Sequence, residues 1–124
     1  MKFSDQVLAA AYPIPHMDGV FIDSNALASM ISSMSPDHTV VGYIGESTTP
    51  AFKVSNFRLK DMFMVADVDF STDCQNSIWA IDMLKSMHPM KLMPQFSGKA
   101  HKSVETGAIY MSPDSVHRVN LELA

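Results

Sequence analysis

The sequence has little of what cross-links a small domain or holds a chain in a membrane. Among its 124 residues, Cys74 is the single cysteine. No internal disulfide can form, which fits a reducing compartment. No run approaches the roughly 18 apolar residues of a membrane helix, so no membrane span is expected. The N-terminal apolar stretch is short and is interrupted by Pro13 and Pro15, which excludes a secretory signal as an interpretation.

Charge is also scarce, and its distribution excludes a basic surface. Charged residues make up 18% of the chain and leave a net charge of −4. No cluster of Lys and Arg falls on a predicted element, so nucleic acid is not an expected partner. Apolar residues reach 47%, which predicts a folded globular chain. The length suits one domain with its own core.

Motifs for metals, cofactors and nucleophilic catalysis are missing. The five histidines have no HxxxH spacing and no cysteine close enough to complete a zinc set; they are His16, His38, His88, His101 and His117. There is no GxGxxG, no Walker loop and no GxSxG elbow. The sequence therefore predicts neither a metal site nor a bound cofactor.

Two weaker chemical features remain. Asp67 and Asp69 lie on one outward face of a predicted strand, where they suit an acid–base pair, a cation site or a solvated face. The solvated face, which discourages edge aggregation, is the preferred interpretation. Ser97 follows a predicted strand and would be a nucleophile if a histidine reached it. From spacing alone, a turn serine is the better interpretation.

The stretch 52–98 organises the predicted fold. Apolar residues alternate in it with polar ones and predict a half-buried strand; they are Met64, Ala66, Val68 and Phe70. Residues 52–59 are its expected hairpin partner, with a bulge or bend at Ser55-Asn56. Further strands are predicted at 17–22, 39–44, 90–96, 109–111 and 116–123. Gly42 predicts a close backbone approach, and turns are expected at 97–99 and 112–115.

Two amphipathic helices are predicted, at about 24–34 and 74–87. The first carries the stripe Leu27, Met30, Ile31 and Met34. In the second, a wide apolar face is expected to lie across the sheet, formed by Ile78, Trp79, Ile81, Met83, Leu84 and Met87. The predicted class is α+β, with about six to seven mostly antiparallel strands and two helices packed against them.

Residues 1–16 are predicted to form an extended N-terminal arm or edge segment, and residues 17–124 a single domain. Prolines on both sides of Ile14 limit its pairing in a sheet. The arm is expected either to be pinned on its own domain or to reach a neighbouring subunit. Its candidate interaction residues are Tyr12, Pro13, Ile14 and Pro15.

Eleven methionines are spread over the predicted elements. Methionine is flexible and polarisable, so it fills irregular gaps and also makes adaptable contact surfaces. A methionine-rich core is the preferred interpretation. The alternative is a subunit that contacts several neighbours in an assembly.

Several segments, taken in order, resemble the tailed-phage prohead (capsid-maturation) serine protease family, in the branch typified by T4-like phages. The similar segments are 18–22 with the helix after it, 41–47, the helix end 82–86, the serine strand 92–98, and the closing strand 115–121. The likeness covers about residues 17–124 and is one of layout and short motifs. It implies a protease-like fold and a capsid setting.

The sequence departs from that family at the catalytic positions. Glu46 or Ser47 stands where the family has its histidine, and the serine strand offers only Ser97, a few residues late. A serine protease without its general base loses most of its rate. The expected function is therefore a non-enzymatic virion or capsid-assembly protein, such as a decoration (cement) protein.

The resemblance implies capsid or other virion proteins as partners, assembly as a homo-oligomer or subunit, and a place in the virion after synthesis in the host cytoplasm. One alternative is an active maturation protease that uses Ser97 with His38 or His101, and Glu46 or Asp37 as third group. A second alternative is an unrelated small phage or bacterial protein that inhibits a host protein.

Overall fold

The structure, a computed structural model, describes residues 2–15, 19–71, 75–86 and 90–123. Six strands and two helices follow one another along this part of the chain. Their bounds are β1 Lys2–Ala10, α1 Ser24–Ser33, β2 Val40–Ile44, β3 Phe52–Lys60, β4 Phe63–Phe70, α2 Gln75–Lys85, β5 Met90–Lys102 and β6 Ile109–Leu123. The predicted α+β class and its mostly antiparallel sheet are confirmed.

All six strands belong to one curled sheet in the order β1-β4-β3-β2-β6-β5. Neighbouring strands run antiparallel except β2 and β6, which run parallel. The curl brings the two edge strands back toward each other, so that Cα atoms of β1 and β5 approach within 8 Å. Both helices contribute buried side chains to the same core as the sheet.

The predicted β3–β4 hairpin is confirmed, but the prediction that β4 is half-buried is wrong. Val54, Met64 and Ala66 are inaccessible to solvent, and Val65 and Asp67, predicted to face outward, are also buried. The register slips between Ser55 and Arg58, where Asn56 has a left-handed φ of 57°. This is the predicted bulge, and Asn is among the few residues that adopt this conformation at low cost.

The first helix buries the side chains that were predicted to be buried, whereas the second buries a partly different set. In α1, Leu27 and Met30 are buried. In α2 the buried residues are Ser77, Ala80 and Ile81, and Ile78 and Trp79 remain about two-fifths exposed. The predicted face was therefore wrong in part, because small residues make the close contact with the sheet. Met87 and the side chain of Leu84, also predicted on this face, lie outside what the structure describes.

The predicted turns at 97–99 and 112–115 are wrong, since both stretches lie within the long strands β5 and β6. The pairing tolerates them through two register shifts, which leave Asp114 and His117 of β6 without an opposite residue on β5. Gly98 lies at the shift opposite Asp114 and leaves room for the partner strand. A Cβ at this position would lie 2.4 Å from the Ser112 carbonyl oxygen. Pro94 lies on β5, an edge strand of the sheet.

The N-terminal segment packs on its own domain, which is one of the two arrangements predicted for it. Residues of β1 pair with β4 along most of its length, so this segment is an edge strand of the sheet. The chain then turns, and the Tyr12 amide donates to the Ile22 carbonyl at 2.8 Å. Phe21 forms an isolated parallel bridge with Tyr110. The strand predicted at 17–22 is therefore wrong for residues 19–22, which form only this bridge, and residues 17 and 18 lie outside the described part of the chain.

The methionines that the structure describes lie in the core or against it. Met30 and Met64 are at most 2% exposed, and Met34, Met62 and Met111 are partly buried against the core. Met83 and Met93 are half-buried. The preferred interpretation, a methionine-rich core, is confirmed for these residues, and they give no support to a methionine-rich contact surface.

Gly42 is expected to be intolerant of a side chain. A Cβ at this position would lie 1.9 Å from Cε2 of Phe52, its partner across the β2–β3 pair. We expect Gly42→Ala to lower the free energy of unfolding by about 1–3 kcal/mol through overpacking, measured by urea denaturation. In the double variant Gly42→Ala/Phe52→Leu, the change at Phe52 removes the obstructing ring, so part of the lost free energy of unfolding should be recovered. Equal losses in the single and double variants would contradict this account.

Candidate functional site

The outer half of the β5–β6 hairpin projects beyond the rest of the sheet. On β6, pairing with β2 is confined to Val119, Asn120 and Leu121. Residues 98–102 of β5 and 109–113 of β6 therefore have only each other as strand neighbours, apart from the bridge to Phe21. The loop that joins them carries Val104, which is fully exposed.

A group of aromatic rings covers the base of this projection. Tyr110 of β6 is central: its ring centroid lies 5.8 Å from that of Phe21, 6.0 Å from that of Tyr12 and 5.9 Å from that of His101, which it stacks on. Tyr12 also meets Phe21 edge-on at 5.2 Å. We call these four rings the aromatic surface.

Backbone hydrogen bonds fix the aromatic surface in place. The Phe21 amide donates to the Ile109 carbonyl, and the Met111 amide donates to the Phe21 carbonyl, each at 2.9 Å. The Tyr12 amide donates to the Ile22 carbonyl, and the Ile14 amide donates to the Ala11 carbonyl at 3.1 Å. The rings therefore come from three chain segments that are tied to one another, so binding through them would cost little ordering entropy.

Much of the aromatic surface is open to solvent. Tyr12 is 51% exposed, and His101 is also exposed. Pro13 and Pro15 are exposed on either side of Ile14. Tyrosine and other aromatic residues are enriched at the centres of protein interfaces, where they bury large areas with few rotatable bonds. This arrangement is chemically suited to docking onto another protein.

The candidate catalytic residues are not brought together. Ser97 is exposed on β5, and its Oγ lies 3.1 Å from the Ser115 Oγ. The His38 Nε2 donates to the Val116 carbonyl at 3.0 Å, and the ring lies 5.9 Å from that of Phe57 on β3. Over the described residues, no hydrogen bond joins Ser97 to a histidine.

The other groups considered for a protease lie elsewhere. His101 stacks on Tyr110. Glu46 is exposed in the turn after β2, and Asp37 is exposed before β2. A serine hydroxyl needs a base within about 2.6–3.2 Å to become a nucleophile, although apo geometries are often looser.

A charged cluster that the sequence did not reveal surrounds Asp67. The interpretation of Asp67 and Asp69 as one solvated face is wrong for Asp67, which is 7% exposed, whereas Asp69 is exposed. The Asp67 carboxylate accepts from Asn56 Nδ2 at 3.1 Å and from Arg58 at 3.3 Å. The Lys2 Nζ lies 3.8 Å from the Asp67 Oδ2.

The cluster continues to β1. Arg58 also donates to the Asp5 carboxylate, which Lys60 approaches at 3.8 Å. Asp5 and Asn56 both have left-handed φ angles, and both lie at register shifts in the strands that flank β4. The bulge on β3 directs Asn56 toward Asp67, whereas the bulge on β1 places Asp5 against Arg58. Asn56, Arg58 and Lys2 satisfy the Asp67 carboxylate, which would otherwise be costly to bury.

The Asn56 hydrogen bond and the Arg58 and Lys2 charges hold the pKa of Asp67 below its ordinary value, against desolvation, which raises it. A lowered folded-state pKa stabilises the fold above the unfolded-state pKa of about 3.9, and this stabilisation is lost as pH falls through the folded-state pKa. We expect Asp67→Asn to be less stable than wild type at pH 7 by about 1 kcal/mol.

This difference should shrink as the pH falls below about 3.9 toward about 3, because the unfolded chain then takes up a proton that folded Asp67, with its lowered pKa, binds less readily. Urea denaturation at both pH values measures it. Asp114→Asn, at an exposed position on β6, is the control and should show little difference at either pH. A wild-type advantage over Asp67→Asn that stays constant between these pH values would contradict the assignment.

Within the described ranges, no group of three or more His, Cys, Asp or Glu side chains is arranged to hold a metal ion. None of the described helices has the length and hydropathy to cross a membrane. Comparisons of the chain with known protein families, with curated proteins and with solved structures gave no match.

Proposed function

We propose that the protein is a non-enzymatic virion or capsid-assembly protein that docks onto a capsid protein through the aromatic surface. The observation that carries this proposal is a group of four contacting rings in which Tyr12 is 51% exposed. Exposed apolar patches of this kind mark interaction sites in soluble proteins. The capsid setting comes from the resemblance of the sequence to the prohead protease family.

The positions of Ser97 and His38 support the proposal that the protein is not a protease. Each is engaged with a different group, Ser97 with Ser115 and His38 with the Val116 carbonyl. A triad would require both side chains to leave these partners. A structural or decorating role requires only a stable domain and a surface, and the protein would act as an assembly subunit in the virion.

Co-sedimentation with capsids of the parent virus tests the proposal, after light scattering has given the oligomeric state of the free protein. We expect the protein to sediment with capsids at a fixed number of copies per shell, and Ser97→Ala to bind equally well. Capsid precursor should remain uncleaved. A free protein that ignores capsids, or precursor cleavage that Ser97→Ala abolishes, would overturn the proposal.

A further inference from the structure

A cavity of about 300 Å³ lies inside the curled sheet, between its two edge strands. Strands β1, β4, β5 and β6 form its wall. The apolar residues of that wall are Phe3, Val7, Val68, Phe70, Leu92 and Leu121. Val68, Phe70 and Leu121 belong to the hydrophobic core, whereas Val7 is 53% exposed at the opening. The cavity therefore runs from solvent to the core.

The geometry of the edges disfavours an added β-strand as the occupant. Register shifts interrupt β1 between Phe3 and Gln6 and again between Val7 and Ala9. The Ser4 carbonyl already accepts from Gln6 Nε2 at 3.0 Å. An inserted strand needs about 10 Å between its neighbours, twice the usual spacing, whereas β1 and β5 approach within 8 Å.

We propose that this cavity binds a small uncharged molecule with an aromatic or aliphatic body and a single hydroxyl group. The volume lies at the lower end of the usual range for ligand sites, about 300–1,000 Å³. Phe3 meets Phe70 edge-on at 5.7 Å and 86°, so the wall includes aromatic rings held at fixed angles. An aromatic ligand gains from offset or edge-on contact with such rings.

The polar part of the wall limits the charge of the ligand. Its two polar residues are Asp5 and Gln6. The Asp5 carboxylate is engaged by Arg58 and Lys60, so it is already neutralised. Gln6 is uncharged and offers a carboxamide near the opening. A charged ligand would be desolvated against six apolar side chains without an opposite charge free to meet it.

This site is separate from the aromatic surface, because none of the rings of that surface lines the cavity. The test uses 2-naphthol, an uncharged bicyclic phenol of about eleven non-hydrogen atoms that matches the proposed class. Methyl NMR spectra of the full chain should show shifts at Val68, Leu92 and Leu121 on titration. We expect a dissociation constant below about 1 mM, given the efficiency of small ligands.

Two variants make the titration specific. Val7→Trp places a large ring at the opening and should weaken binding at least tenfold, whereas Val41→Trp, at a 37% exposed position on β2, should leave it unchanged. Leu92→Phe fills the cavity from β5 and should also weaken binding at least tenfold. The proposal is overturned if 2-naphthol causes no shifts at these methyl groups, or if the shifts survive in both cavity variants.

Discussion

Substitution of Tyr12 by alanine is expected to lower the affinity for capsids by about 30-fold or more, the loss typical of an aromatic anchor in an interface. Tyr12 is 51% exposed, yet its ring contacts Phe21 and Tyr110. It therefore presents a large, preorganised apolar area. The free energy of unfolding should change by less than about 1 kcal/mol, because so much of the side chain already faces solvent.

Trp79→Ala is the matched control for this substitution. Trp79 is an aromatic residue that is 40% exposed on α2, outside the aromatic surface. Its removal should leave capsid affinity unchanged. Binding is measured by quantitative co-sedimentation or surface plasmon resonance, with circular dichroism to verify folding. Similar losses for Trp79→Ala and Tyr12→Ala would refute docking through the aromatic surface.

Leu27→Ala is expected to produce the largest loss of stability, about 3–4 kcal/mol. Leu27 is fully buried in α1 and belongs to the main core. Truncation of a buried leucine removes its transfer free energy and leaves a cavity. A domain of this size has a total stability of about 5–15 kcal/mol, so the variant should unfold at a much lower urea concentration.

Ile31 provides the comparison on the same helix, because it is only partly buried against the core. Ile31→Ala should cost about half as much as Leu27→Ala, since less apolar area returns to water. Denaturation curves with equal slopes for both variants would show that α1 remains part of the same cooperative unit. If Ile31→Ala lowered the free energy of unfolding as much as Leu27→Ala does, this would contradict the burial of the helix as described.

The elements that could be predicted from the sequence are those with strong local patterns. The alternation in β4 predicted a strand correctly, although Met64–Val68 are buried without alternation, and the stripe through Leu27 and Met30 corresponds to burial in α1. The bulge near Asn56 was also visible as a slip in the pattern. Local signals failed in β5 and β6, where Gly98 and Pro113 suggested turns. There, cross-strand pairing absorbed both residues through register shifts, so tertiary context overrode local propensity.

The site residues show a similar division. Tyr12 and Ile14 were predicted as interaction residues, and that role stays a prediction; the Tyr12 ring belongs to the aromatic surface and Ile14 is 38% exposed. The other rings were missed, since His101 meets Tyr110 only through the β5–β6 pairing and Phe21 meets it only through the isolated bridge. The extension of the charged cluster to β1 was missed for the same reason. Asp5 lies 53 positions before Arg58 and meets it only once β1 joins the sheet.

Hydrogen–deuterium exchange of the protein, alone and bound to capsids, tests docking through the aromatic surface most directly. This account predicts that capsids slow exchange at residues 12–14, 21 and 101–110, which include the aromatic surface and its hairpin loop, and leave α2 unchanged. Slowed exchange confined to α2 or to the neighbourhood of Ser97, with residues 12–14 unaffected, would contradict it.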